Sequence, residues 1–320
     1  MERTGSARRP LFARASARGT SRTIALAAAL LLGLGAPGCK KSSDTAAPGS
    51  GDSTGAAKDP ASAGVTLRYK IAARSLKKSI QGGFTVSSNR GGGSVTADLS
   101  GQIDFIDNGD GTLKASYKVT ELRDYKSEMP QQPGAAEAGP PPDPKEIAKT
   151  VTGAAIINDR GEPDEEKTKA LPENKRDENM DPQVASVIGI VEGMMSVPEL
   201  PEEALEVGKA VTKSEEKEIP SPIGMKIPSE IDTTIKLVSV DDSSGARIAT
   251  IEIEVEGSGA VEQGQMGMIS MDSSVTQTLV FNLDEQLPVS AKVQSTNAYT
   301  IGTQGSLEMS FNYEASFEPG

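Results

Sequence analysis

The 320-residue chain has no histidine, no tryptophan and a single cysteine, Cys39. Without histidine, the acid, base and imidazole-ligand roles of most hydrolase triads and zinc sites are closed to it. A lone cysteine forms no intrachain disulfide. Aromatic residues make up only 3% of the chain, which leaves few stacking platforms for carbohydrate. Serine with lysine, or paired carboxylates, can still carry out hydrolysis, but no spacing singles out one such group. The chain is therefore read as a non-enzyme with no cofactor and no metal, a histidine-independent hydrolase being the alternative.

Long apolar runs are missing as well. The one extended run, Ile24 to Leu34, has eleven residues, too few for a spanning helix, which needs about 20. Arg3, Arg8, Arg9, Arg14, Arg18 and Arg22 precede it, and Gly35-Ala36-Pro37-Gly38-Cys39 comes directly after. A basic region, a short apolar core and small residues in that order predict a signal peptide over 1–38. Small residues directly before a cysteine resemble the lipobox of bacterial lipoproteins, in which the peptidase cleaves before a diacylated Cys. The resemblance covers Ala36 to Cys39 and implies that Cys39 carries acyl chains such as palmitate. The absence of a second cysteine agrees, because acylation removes a thiol that would otherwise be open to oxidation after export. Arg8-Arg9-Pro10-Leu11-Phe12 also resembles a twin-arginine export signal. Its distance from the apolar core favours general secretion.

From Cys39 onward the chain is acidic. The first 38 residues hold six arginines and one glutamate, leaving 27 basic against 44 acidic groups, a net of −17. Such a surface repels nucleic acid and anionic headgroups alike. Membrane attachment is thus expected to come from the acyl chains. Residues 39–64, rich in Ser, Gly, Ala, Asp and Lys, read as the lipidated cysteine and a tether with a reach of about 25–30 Å. Lys40 stands where an aspartate would resemble an inner-membrane retention signal, so the outer membrane is the expected location.

From Val65 onward, apolar residues recur at every second position, as in strands with one buried face. The runs are Val65 to Ile71, Val95 to Phe105, Leu113 to Val119, Ile231 to Ser239, Ile251 to Val255, Leu279 to Leu283 and Leu307 to Phe317. Strict alternation suits antiparallel sheets rather than doubly covered parallel ones. Asp107-Asn108-Gly109-Asp110-Gly111 and Asp241-Asp242-Ser243-Ser244-Gly245 join pairs of runs as hairpin turns. The first turn does not fit a calcium loop, because no register places both ligands and glycine correctly. Asp181 as N-cap, Pro182 at the first position, and Val184, Val187, Ile188, Val191, Met194 and Met195 at helical spacing predict a helix over 181–198 that covers part of a sheet. Residues 65–180 and 199–320 then read as two similar β-units around that helix, with a Pro-rich insertion (Pro130 to Pro144) and a charged one (Glu162 to Asp181) as mobile surface loops. The fold class is mainly β.

Leu67-Arg68-Tyr69-Lys70, the linker Leu200 to Lys209, and Thr234 to Val240 with Ala249 to Glu254 resemble a family of uncharacterised secreted bacterial proteins, many of them lipoproteins, built around a large β-sheet domain. The resemblance spans most of Val65 to Phe317 and brings no activity with it. Met266, Met268 and Met271 offer thioethers to a soft ion, but they lie in what reads as a loop, Gly264 to Ser270, without Cys or His support. The expected role is a structural or protein-interaction module of the cell envelope, with the bilayer and an envelope protein as partners. The alternative is a carrier of a hydrophobic small molecule. It rests on a general resemblance to periplasmic lipoprotein and lipid carriers, whose curved sheets enclose an apolar cavity capped by helices. The two differ in whether the 181–198 helix locks into packed core or roofs a hollow.

Overall fold

Alternating side chains translate into ten antiparallel strands: β1 (Arg74–Ser88), β2 (Gly91–Asp107), β3 (Leu113–Ser127), β4 (Thr152–Ile157), β5 (Ala210–Pro220), β6 (Lys226–Asp241), β7 (Ile248–Gln263), β8 (Gly267–Asn282), β9 (Leu287–Ile301) and β10 (Gly305–Pro319). The computed structural model describes residues 64–70, 74–89, 91–128, 143, 145, 151–174, 182–221, 225–243, 245–264, 267–302 and 305–320. Residues 1–63, which take in the expected signal peptide, Cys39 and all of the expected tether but Gly64, and all of the Pro130 to Pro144 stretch except Asp143 lie outside the described residues. The strands form one sheet in the order β4-β3-β2-β1-β10-β9-β8-β7-β6-β5. Pairing of β1 with β10, from Leu76↔Pro319 to Ser88↔Leu307, fuses the strands on either side of the predicted helix into that single sheet.

One face of the sheet is buried and the other is wet. A flat ten-stranded sheet would be about 43 Å wide at the usual strand spacing. The helix α2 (Pro182–Met195) is only about 21 Å long at 1.5 Å per residue, too short to cover such a face. The apolar residues of that face nevertheless join one core that runs from Phe105 on β2 to Ile227 on β6. The sheet must therefore curl around its own inner face. Bulges between Thr96 and Asp98, Ser100 and Gly101, Leu237 and Ser239, and Val280 and Phe281 supply bends, since an extra residue in one strand raises local twist. At Gly259 a Cβ would lie 2.3 Å from Ser229 Oγ and 2.4 Å from Pro228 O, so only glycine lets β6 and β7 approach there.

The end of the curl is closed by three irregular segments, 65–70, 158–162 and 196–207. Val65 and Leu205 exchange backbone hydrogen bonds of 2.7 and 2.9 Å, Tyr69 N donates to Asp159 O at 2.7 Å, and Leu200 N donates to Arg160 O at 2.8 Å. Arg68 donates to the carbonyls of Pro201 and Glu202, and Tyr69 Oη to that of Pro198. This plate corrects one expectation. Val65 to Lys70 is an extended segment with a single bridge, to Leu205, rather than a sheet strand. Its backbone bonds go to the other plate segments and, from Lys70 N, to Gln286 O between β8 and β9, so that Leu67 and Tyr69 can fill the end of the core, where Tyr69 meets Phe281 edge-on at 5.9 Å. Ile71 lies outside the described residues.

Part of the charged insertion folds too, instead of remaining a loop. Asp164 caps α1 (Glu165–Lys169), and a 3-10 turn comes next at Pro172–Asn174. The reason is the free edge of β4. Thr168 Oγ1 accepts from Ile156 N at 3.0 Å, Asn174 Oδ1 accepts from Ala154 N at 3.1 Å, and Asn174 Nδ2 donates to Ala154 O at 2.7 Å. These side chains stand in for a neighbouring strand and blunt the edge. Asn174→Ala is expected to cost about 1–3 kcal/mol, the penalty of leaving buried backbone groups unpaired. Urea unfolding, with sizing over a range of protein concentrations, would detect both the loss and any new edge-to-edge association.

Both acidic hairpin turns form where expected. Asp107 Oδ1 accepts from Gly109 N at 2.7 Å, Asp110 Oδ1 from Thr112 N at 3.0 Å, and Asp241 Oδ1 from Ser243 N at 2.8 Å. The carboxylates close their own turns. Among the described residues no helix is long and apolar enough to cross a membrane.

Candidate ligand hollow under the helix

Strand period places Lys78 of β1 on the buried face between Leu76 and Ile80, opposite Phe317 of β10 and Gly101 of β2. Only 3% of it is exposed, a state lysine reaches only with partners. Its Nζ donates to Met194 O at 2.5 Å and Ser196 O at 2.6 Å and lies 5.1 Å from the centre of the Phe317 ring. Met194 is in the last turn of α2, where carbonyls have no intrahelical donor and the helix dipole favours a cation. Met195, the last helical residue, fills the space a side chain on Gly101 would need, since a Cβ there would lie 2.4 Å from Met195 Cε. The C-terminus of α2 is thus pinned to the sheet by one ammonium and one thioether. Burial pulls the Lys78 pKa down to about 7.

Beneath the chain leaving α2 is a hollow of about 80 Å³. Lys78, Ser196, Glu199, Thr233, Gln277 and Tyr313 are its polar lining, set among Val255, Val275, Ala291, Val293 and Phe317. Burial first, and then the charge of Glu162, raise the Glu199 pKa to about 7, against the opposing pull of Arg160 and Lys217; Glu215 adds to the rise. Glu199 Oε1 has no hydrogen-bond partner among the described residues. A wider groove of about 560 Å³ runs along Gly82 and Gly83, with Phe84 and Phe311 stacked at 5.6 Å among its lining.

The polar character continues along the inner face. Ser229, Thr233, Ser273, Ser295 and Asn297 are all buried. The register sets Ser273 opposite Asn297, while Asn297 Nδ2 donates to Ser295 Oγ at 3.3 Å. Ser273 Oγ has no partner among the described residues. β5 adds Lys213, Glu215 and Lys217 on the same face, with Lys213 paired to Glu203 and Lys217 to Glu215 at 2.5 Å each.

Of the residues singled out in the sequence, Cys39, Met266 and Asp181 lie outside the described residues, as do the side chains of Val184 and Val187. Val191, Met194 and Met195 are buried and Ile188 is half-buried, as a core-facing helix requires. β8 begins at Gly267, inside the stretch read as a loop. That strand separates Met268, 54% exposed, from Met271, 1% exposed, on opposite faces, so these two cannot share one ion. Among the described residues no three acidic or cysteine groups gather where they could hold a metal. Lys78 and Glu199 carry no motif. The only signal in the sequence is a lysine two residues from Leu76 and two from Ile80, at a position a strand would bury.

Because Glu199 has a raised pKa, the folded protein holds more protons than the unfolded chain between pH 4.5 and about 7. The stability this contributes is present below pH 4.5 and is lost as pH rises through about 7. Glu199→Gln is therefore expected to be more stable than the wild type by about 1–2 kcal/mol at pH 8, with the difference vanishing near pH 4.5. Urea melts at the two pH values check it.

No protein-family model, curated protein or solved structure matches the chain.

Proposed function

We propose that the chain is an exported bacterial lipoprotein, anchored in the outer membrane through acylated Cys39, that carries a hydrophobic ligand on the inner face of its curled sheet. The address is supported by the basic region, the short apolar core and the small residues before Cys39. No catalytic step is assigned to it. The observation that carries the ligand reading is the latch from Lys78 to Met194 O and Ser196 O over a partly polar hollow. A sheet that needed only a core would put an aliphatic side chain at position 78. Instead it buries a lysine there, together with a carboxylate oxygen on Glu199 and a hydroxyl on Ser273 that have no partner among the described residues. Unpaired buried groups cost about 1–3 kcal/mol each, and departures from apolar packing of this kind concentrate at functional sites.

The second reading, a structural or protein-contact module, is favoured by the size of the hollow. At about 80 Å³ it is well below the ~300 Å³ of a typical ligand pocket. Loading a carrier of this design therefore requires α2 and the plate to lift. Native mass spectrometry of protein released gently from membranes separates the two readings. A carrier retains one lipid per chain, whereas a contact module is lipid-free apart from its own anchor. For the anchor, Cys39→Ala is expected to lose both metabolic palmitate labelling and membrane fractionation, since each buried methylene contributes about 0.8 kcal/mol; a variant that still takes up label would refute it.

A further inference from the structure

Among the described cations on the inner face, Lys213 and Lys217 are neutralised by Glu203 and Glu215. Lys78 is not. Its two acceptors are neutral backbone carbonyls, and both belong to the end of α2 and the residue just past it. Lifting α2 would strip the ammonium of both acceptors and leave it beside the Phe317 ring, opposite Gly101. Without a partner there the group must be hydrated or shed its proton, and either costs free energy. A ligand whose own oxygens replace the two carbonyls would remove that cost, and a neutral chain would not.

We infer that the hollow at Lys78 is a headgroup site for a single-chain fatty acid, whose carboxylate takes the place of the Met194 and Ser196 carbonyls as the helix lifts. This rests on the carrier reading above and names its ligand class. A carboxylate brings the counter-charge that the two carbonyls lack and accepts a charge-assisted hydrogen bond from the Nζ that now donates to them at 2.5 and 2.6 Å. The about 80 Å³ already present beside Lys78 suits a small head rather than a phosphodiester with its substituent. Beyond the head, Ala291, Val293, Val275 and Val255 give the chain an apolar path across β9, β8 and β7. Glu199 shares the hollow, but its charge interactions run to Glu162, Arg160, Lys217 and Glu215. Lys78 is left to the ligand.

The test uses the full mature chain with Cys39→Ala, so that no anchor occupies the site, and titrates palmitate, hexadecanol and hexadecyl phosphate. Palmitate is expected to bind at least tenfold more tightly than either of the others, and Lys78→Met is expected to bring palmitate down to the level of hexadecanol. Equal binding of palmitate and hexadecanol would overturn the headgroup site and leave the carrier reading standing. Tighter binding of hexadecyl phosphate would overturn the carboxylate assignment. If none of the three binds, the carrier reading itself fails and the headgroup site with it. Should Lys78→Met not fold, the acid-to-alcohol ratio of the chain with native Lys78 decides.

Discussion

Phe281→Ala is expected to destabilise the protein by about 3–5 kcal/mol, the usual range for removing a buried phenyl ring from a core. Phe281 is fully buried on β8, beside the bulge at Val280, and its ring meets Tyr69 edge-on. Tyr69 in turn holds the plate through Pro198 O and Asp159 O. The cavity cannot collapse easily, because two strands fix one side of it and a hydrogen-bonded segment the other. Urea unfolding should show a lower midpoint with an unchanged slope. A loss below about 1 kcal/mol, far under that range, would mean that the plate closes the sheet by some other contact.

The second large effect is local. Lys78→Met keeps the stem but leaves Met194 O and Ser196 O without their donor, each at a cost of about 1–3 kcal/mol, and gives up the contact with Phe317, worth about 0.5–2 kcal/mol. Relief from burying a charge acts in the other direction, so the global change is expected to be smaller than for Phe281→Ala. The change belongs to the helix end. Amide exchange over Val191 to Ser196 is expected to speed up about 30-fold or more, which corresponds to roughly 2 kcal/mol of lost local opening energy. The same substitution should flatten part of the pH profile. With its pKa lowered to about 7, Lys78 makes the unfolded chain the stronger proton binder between pH 7 and 10.5, so wild-type stability rises across that window. A variant with unchanged exchange would show that the ammonium does not hold the helix.

The strands legible from sequence are those whose buried positions are apolar. β10 was readable because Leu307, Met309, Phe311, Tyr313, Ala315 and Phe317 all face inward, and β7 because Ile251, Ile253 and Val255 do. β5 shows no such stripe, since its inward positions are Val211, Lys213, Glu215, Lys217 and Ile219. β9 places Ser295 and Asn297 inward, and β1 places Lys78 there. These three strands escape periodicity for the reason that makes the interior interesting: the inner face is partly polar. The hollow was hidden with them. Lys78 and Glu199 are 121 residues apart in the chain and meet only because β1 joins β10 and the chain leaving α2 crosses the inner face. The segment from Val65 to Lys70 misled in the other direction. Its alternation is real, with Leu67 and Tyr69 buried, but period alone does not say whether the neighbouring backbone is a strand or a loop. The helix was readable from its spacing, while the pinning of its last turn depends on Gly101, whose significance lies in the side chain it lacks.

The most direct test of the ligand site is photo-crosslinking. A fatty acid bearing a diazirine at mid-chain would be loaded onto the mature chain with Cys39→Ala, irradiated, and the adducts mapped by peptide sequencing. The expected result is labelling confined to the inner face, at Ile253, Val275, Val293 and Ala315, together with faster amide exchange at the end of α2 in the loaded protein. Adducts on outward residues of the same strands, such as Glu254 and Thr276, with the helix end still protected, would contradict it.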